Sequence, residues 1–234
     1  PTRLLGVEFT SPGKLLAPPP RATRRLEVIG DSISAGYGIE GNGPDCSFTI
    51  DTENHYLTYG AIAARTLGAE LITTAWSGIG VYRNVDGATT DTMPVRWERA
   101  IPTDESSQWD HSLYIPHAVI INLGTNDFAG GAPPQVPFTD AYIQFVHNIR
   151  MVYPEAHIIV ALGSMLSSDS LTTARGYLEA IVAELQITDS RVHFLEFATQ
   201  QSTDGLGCDW HPSLVTNENM AATLVTALQN ILGR

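Results

Sequence analysis

The sequence predicts an α/β fold, with a central parallel sheet of about five strands and helices on both of its faces. Three observations predict it. From Leu26 onward, short β-branched runs and segments with helical spacing alternate about five times. The most apolar runs, at 118–123 and 157–162, are continuous rather than alternating, as in buried strands. Polar, glycine-containing turns follow the predicted strands, and an open parallel sheet binds its ligands at that edge.

The elements follow in chain order. Arg3 to Phe9 reads as one short strand. Ser11-Pro12-Gly13 and Pro18-Pro19-Pro20 then read as an extended connector, because prolines cannot sit inside a sheet. This splits the chain into an arm over 1–25 and a main domain over 26–234. The arm is either a strap across the domain or the last strand and linker of a domain further upstream. Leu26 to Ile29 is a strand ending at Gly30. Tyr59 to Leu67 has helical spacing, with Gly68 closing it. Glu70 to Ala75 is a strand. The stretch from Pro94 to Ile115 is irregular, with one short helix expected. Ala118 to Leu123 is a strand, and Thr139 to Val152 a helix capped by Thr139. His157 to Leu162 is a strand, Leu171 to Leu185 a helix with Ser170 as cap, and Val192 to Leu195 the last strand. Val215 to Leu232 is the C-terminal helix.

Bulk properties exclude several function classes. Hydrophobic residues make up 43% of the 234, enough for a large core. The formal charge of -12 repels phosphate backbones and acidic membrane surfaces, so neither nucleic acid nor membrane is an expected partner. No stretch approaches the roughly 18 apolar residues of a membrane span. No signal peptide is visible. The two cysteines, Cys46 and Cys208, either stay as thiols or are joined by the fold into a disulfide in an oxidising compartment. Their spacing does not suit a metal.

The turns after the strands hold the chemistry. They are Gly30-Asp31-Ser32-Ile33, then Trp76-Ser77-Gly78-Ile79-Gly80, then Gly124-Thr125-Asn126-Asp127. Beyond a loop comes Cys208-Asp209-Trp210-His211-Pro212. Together they supply a hydroxyl, an imidazole, a carboxylate, an amide and small-residue turns, which suits acyl transfer. There is no GxSxG elbow and no phosphate-binding GxGxxG loop.

These four blocks, in this order, resemble those of the SGNH/GDSL hydrolases, over roughly Leu26 to the C-terminus. The resemblance implies a three-layer α/β/α, flavodoxin-like fold. The runs Gly30 to Gly38, Asp45-Cys46-Ser47-Phe48, Ser77 to Gly80 and Cys208 to Pro212 are more narrowly similar to carbohydrate esterase family 2. Those enzymes remove acetyl groups from plant polysaccharides and carry a jelly-roll domain ahead of the hydrolase domain. Residues 1–25 look like the end of such a domain.

The resemblance implies Ser32 as nucleophile and His211 as general base. An unperturbed imidazole near pKa 6.5 suits a group that takes and returns a proton near neutral pH. The competing reading of Ser32 is a helix N-cap. Asp209 would orient His211, but it lies two residues before the histidine, where the broad family has its acid three before. A Ser-His dyad therefore stays open beside the triad. The oxyanion donors implied are the backbone N–H of Ser32, that of Gly78 and the amide of Asn126. Asp31 and Asp127 are read as structural, and Gly36 and Gly38 as serving tight packing. The other six histidines are read as structural or solvated. Trp109, Trp76 and Trp210 are candidate sugar contacts, with Trp109 expected to be the most exposed.

The function expected is hydrolysis of acetyl esters on a polysaccharide such as xylan or glucomannan. The alternatives are a general esterase or thioesterase on small esters, and a carbohydrate-binding domain with secondary catalysis. No metal and no organic cofactor is implied, the oligomeric state is open, and an extracellular location is expected.

Overall fold

The computed structural model describes residues 6–233. Strands β1 (Arg25–Gly30), β2 (Glu70–Ala75), β3 (Ala118–Asn122), β4 (His157–Leu162) and β5 (Val192–Glu196) form one sheet in the order β2-β1-β3-β4-β5. Every neighbouring pair is parallel. This is the doubly wound order of flavodoxin-like folds.

The strand pattern explains the layers. In β3, Val119 and Ile121 point into one core and Ala118 and Ile120 into the other, with all four at 0% exposure. A strand buried on both faces has no use for polar alternation. One core receives α4 (Gln135–Val152) and α5 (Ser168–Leu185), through residues such as Phe138, Phe145, Leu178 and Ile181. The other receives α2 (Tyr59–Thr66) and α6 (Leu214–Leu232), through Tyr59, Ala63, Met220 and Leu224. Each fully buried large side chain contributes roughly 1.5–3 kcal/mol.

Boundaries shift by a few residues. Helix α4 starts at Gln135 rather than Thr139, with Pro137 inside its first turn. The first four N–H groups of a helix have no intrahelical partner, so a proline there costs no bond. Helix α5 starts at Ser168 with Ser167 as its N-cap. The irregular stretch holds the short helix α3 (Met93–Arg96). Residues 6–24 form neither helix nor strand. The expected strand over 3–9 is thus irregular where it is described, and its residues 3–5 lie outside the described part. The connector is tied down at Ala22, whose N–H donates to Glu70 at 2.7 Å.

The register levels the strand ends. Gly30 lies beside Ala75 and Asn122, and Asn122 beside Ala161. The turns after β1, β2 and β3 therefore meet at one edge.

Candidate active site

Ser32 opens α1 (Ser32–Ala35), directly after β1. The cap of this helix is Asp31, whose carboxylate accepts from the Ile33 N–H at 3.0 Å. The Ser32 hydroxyl is thus not the cap. It lies 2.9 Å from His211 Nε2. Hydroxyl and imidazole come together across 179 residues of sequence.

His211 arrives on the long loop after β5. The loop is pinned to the α1 side by a disulfide between Cys46 and Cys208, so of the two readings of the cysteines the bonded one holds. Backbone bonds reinforce it: Cys208 N–H donates to Gly38 O at 3.0 Å, and Asp209 N–H to Cys46 O at 2.9 Å. Gly38 has φ of +64°, and a Cβ there would sit 2.8 Å from Cys208 O. Only glycine lets the loop approach this closely.

The expected role of Asp209 needs correcting. Its carboxylate accepts from the Tyr37 hydroxyl at 2.7 Å and from the Phe48 N–H at 2.9 Å, and makes no bond to His211. The physical reason is the backbone. Asp209 is in the left-handed region, with φ of 51°, which aims its side chain toward Tyr37 and its carbonyl toward the imidazole. His211 Nδ1 lies 3.0 Å from Asp209 O and 3.2 Å from Cys208 O. With Nδ1 donating to these carbonyls, Nε2 is left unprotonated and can accept from Ser32. The arrangement is a dyad oriented by backbone carbonyls. Burial holds the His211 pKa below the ordinary histidine value, against the opposing pull of those carbonyls and of the Asp209 charge.

One prediction follows directly. Asp209→Asn keeps an acceptor for Tyr37 and tolerates positive φ. It is expected to lower kcat less than about tenfold, where neutralising the acid of a true triad costs about 10⁴-fold. Steady-state kinetics on p-nitrophenyl acetate would decide; a loss near the larger figure would reinstate the triad.

The three expected oxyanion donors differ. Ser32 and Gly78 have N–H groups with no hydrogen-bond partner among the described residues, and Gly78 turns the chain with φ of +81°. The Asn126 amide is engaged: it donates to Ile79 O at 2.8 Å and to Asp31 at 3.3 Å. Asn126 can serve an oxyanion only by releasing the longer contact. Asp31 is fully buried, and desolvation pushes its pKa up to about 7 despite the Ile33 N–H bond. Asp127 accepts from the N–H groups of Val81, Tyr82 and Arg83 at 2.8–3.1 Å, which fixes the loop after Gly78. Both aspartates are structural in the way expected.

The tryptophans rank differently from the expectation. Trp109 is half-buried, with its backbone N–H donating to Glu98 O, and does not line the cleft that Trp76 and Ser77 line. Trp210 is 60% exposed and Trp76 38%. Chain periodicity could not rank them, because the irregular segment around Trp109 folds back onto Glu98 instead of standing free. Trp76 lines the cleft, and Arg96 stacks over its ring at 4.5 Å.

Sequence reasoning missed Tyr37 and Phe48. Tyr37 stacks on the His211 ring at 4.1 Å, and Phe48 on Tyr37 at 4.4 Å. Both fall in runs that carry the family resemblance, which was the available signal. It also missed His55 and Glu53, which line the cleft.

The comparisons agree with this geometry. The GDSL-like Lipase/Acylhydrolase family matches residues 28–216. The chain is 41% identical over 232 residues to the cellulase/esterase CelE of Acetivibrio thermocellus, covering 99% of this chain and 28% of that protein. It is 28% identical to an acetylxylan esterase / glucomannan deacetylase of Cellvibrio japonicus, covering 98% of this chain and 61% of the relative. The chain thus spans less than two thirds of each of these relatives. Among solved structures, a family two carbohydrate esterase from Clostridium thermocellum in complex with cellohexaose superposes with a TM-score of 0.90 at 41% identity, over 94% of this chain and 68% of that one. A family 2 carbohydrate esterase from Corynascus with its carbohydrate-binding domain superposes with a TM-score of 0.86 at 34% identity, over 96% and 71%. With the Ser32–His211 pair at the strand edge and these matches along nearly its whole length, the chain belongs to the GDSL-like lipase/acylhydrolase family and, within it, to the family two carbohydrate esterases.

Proposed function

We propose that this protein is a serine esterase that removes acetyl groups from a plant polysaccharide such as xylan or glucomannan. The observation that carries the reading is the 2.9 Å contact between Ser32 Oγ and His211 Nε2. The names of the relatives support the substrate class.

The steps are those of acyl transfer. Ser32 Oγ attacks the acetyl carbonyl carbon while its proton passes to His211 Nε2. The oxyanion that forms is held by the N–H groups of Ser32 and Gly78, joined by the Asn126 amide if its Asp31 contact opens. Each such donor is worth about 3–4 kcal/mol in the transition state. Collapse breaks the bond between the acetyl carbon and the sugar oxygen, which takes the proton from His211 Nε2 and leaves as a hydroxyl. Water then gives a proton to Nε2 and attacks the acetyl-serine; as the bond to Ser32 Oγ breaks, Oγ takes that proton back, which restores both groups and releases acetic acid, ionised to acetate in solution. The disulfide supports an extracellular setting, since such bonds persist in oxidising compartments.

The test is acetate release from acetylated xylan and acetylated glucomannan, beside p-nitrophenyl esters of increasing chain length. Acetyl preference with release from a polymer is expected. Preference for acyl chains of about eight carbons or more, which call for a large apolar pocket, would overturn the deacetylase reading.

The pH profile carries a signed prediction. The base must be neutral, and burial lowers the pKa of His211. The ring therefore stays neutral further into acid than an exposed histidine does. The acid limb of kcat/KM is expected to bend below about 6.5. A bend above that value would show that His211 is not the group controlling the limb.

A further inference from the structure

A cleft of 880 Å³ opens between the end of α1, at Ala35, and the turn after β2, lined by Phe48, Glu53, His55, Thr73, Trp76 and Ser77. Two aromatic rings and several hydroxyl or ring-nitrogen groups suit a sugar, whose ring faces are apolar and whose edges are hydroxyls. One residue does not fit that simple picture. Glu53 is half-buried, yet its carboxylate makes no hydrogen bond and no ion pair among the described residues. Burial pushes its pKa upward, a sign that water solvates it poorly.

The nearby cations are committed elsewhere. Arg96 lies over the Trp76 ring and pairs with Asp91 at 2.7 Å. Arg65 lies over the Tyr56 ring at 3.7 Å and donates to Tyr56 O at 2.6 Å. A second carboxylate, Asp209, stands at the same rim against Tyr37 and Phe48. The Tyr37 phenol is pushed up to about 12, by burial first, then by its bond to Asp209 and the charges of Asp209 and Glu53. The fields of the two carboxylates therefore meet at the ring that covers His211.

We propose that Glu53 is a specificity-determining residue, whose uncompensated carboxylate admits neutral sugar units beside the acetylated one and excludes units that carry a carboxylate, such as uronic-acid branches. The physical cause is like-charge repulsion from a carboxylate that, among the described residues, no cation pairs with. This inference rests on the polysaccharide reading above.

The experiment compares kcat/KM for acetate release from acetylated glucuronoxylan with that from the same polymer after its uronic-acid branches are removed. Wild type is expected to favour the branch-free polymer by about fivefold at low salt, with the gap narrowing at high salt. Glu53→Gln is expected to close most of that gap. Glu184→Gln, which removes the same charge from the exposed face of α5 away from the cleft, is expected to leave it. Equal preference in wild type, an unchanged gap in Glu53→Gln, or equal closing in Glu184→Gln would each overturn the role of Glu53. Hydrolysis of p-nitrophenyl acetate without release from either polymer would instead overturn the polysaccharide reading on which it stands.

Discussion

Ser32→Ala is expected to abolish acetate release from both p-nitrophenyl acetate and acetylated xylan, lowering kcat by about 10⁴-fold or more. The size of the effect follows from the geometry. Ser32 Oγ is the hydroxyl within reach of His211 Nε2, at 2.9 Å, and the N–H groups of Ser32 and Gly78, which have no hydrogen-bond partner among the described residues, would receive the oxyanion. The same substitution is expected to shift the melting temperature little. The helix cap is Asp31, not Ser32, so removing the hydroxyl removes no cap. A residual activity within about tenfold of wild type would place the nucleophile elsewhere. A collapse of the melting temperature would show the hydroxyl to be structural instead. His211→Ala should fall to a similar residual rate, because the two groups act as a unit and their losses do not add.

The double variant Cys46→Ser/Cys208→Ser carries the second large effect, on stability and activity together. The bond closes a loop of 162 residues, and a loop of that length is worth roughly 4–5 kcal/mol by chain entropy. For a domain of this size that corresponds to a drop in melting temperature of about 10 °C. The activity effect has a separate cause. The carbonyls that hold His211 Nδ1 belong to Cys208 and Asp209, so freeing Cys208 frees the base. kcat is expected to fall at temperatures where the variant is still folded, and circular dichroism beside kinetics separates the two effects. A melting temperature within about 2 °C of wild type would show that the backbone bonds of this loop suffice without the disulfide.

Much of the fold was legible in the sequence because the sheet is buried on both faces. Continuous β-branched runs such as Val119-Ile120-Ile121, short and bounded by turns, suit the centre of a parallel sheet. The helices read less sharply at their starts. The first turn of α4 contains a proline that looks like a breaker, yet it occupies a position where no backbone bond is lost. Ser32 and His211 were legible as candidates for a different reason: each sits in a short polar block at the end of a predicted strand or its following loop, and the order of those blocks resembles the SGNH/GDSL hydrolases.

The sequence by itself determined the alternating architecture and the edge at which the polar turns gather, and its ordered blocks singled out Ser32 and His211 as the candidate nucleophile and base. These depend on local pattern and chain order. The tertiary structure alone decided what Asp209 does, because its left-handed backbone turns the carboxylate to Tyr37 and presents the carbonyl to His211. It alone joined Cys46 to Cys208, stacked Tyr37 on the imidazole, kept Trp109 out of the lining of the cleft and left Glu53 without a partner among the described residues. The physical reason is common to all of these. Each depends on where a loop comes to rest against a distant segment, and loop paths are set by a few long-range contacts that leave no periodic mark on the chain.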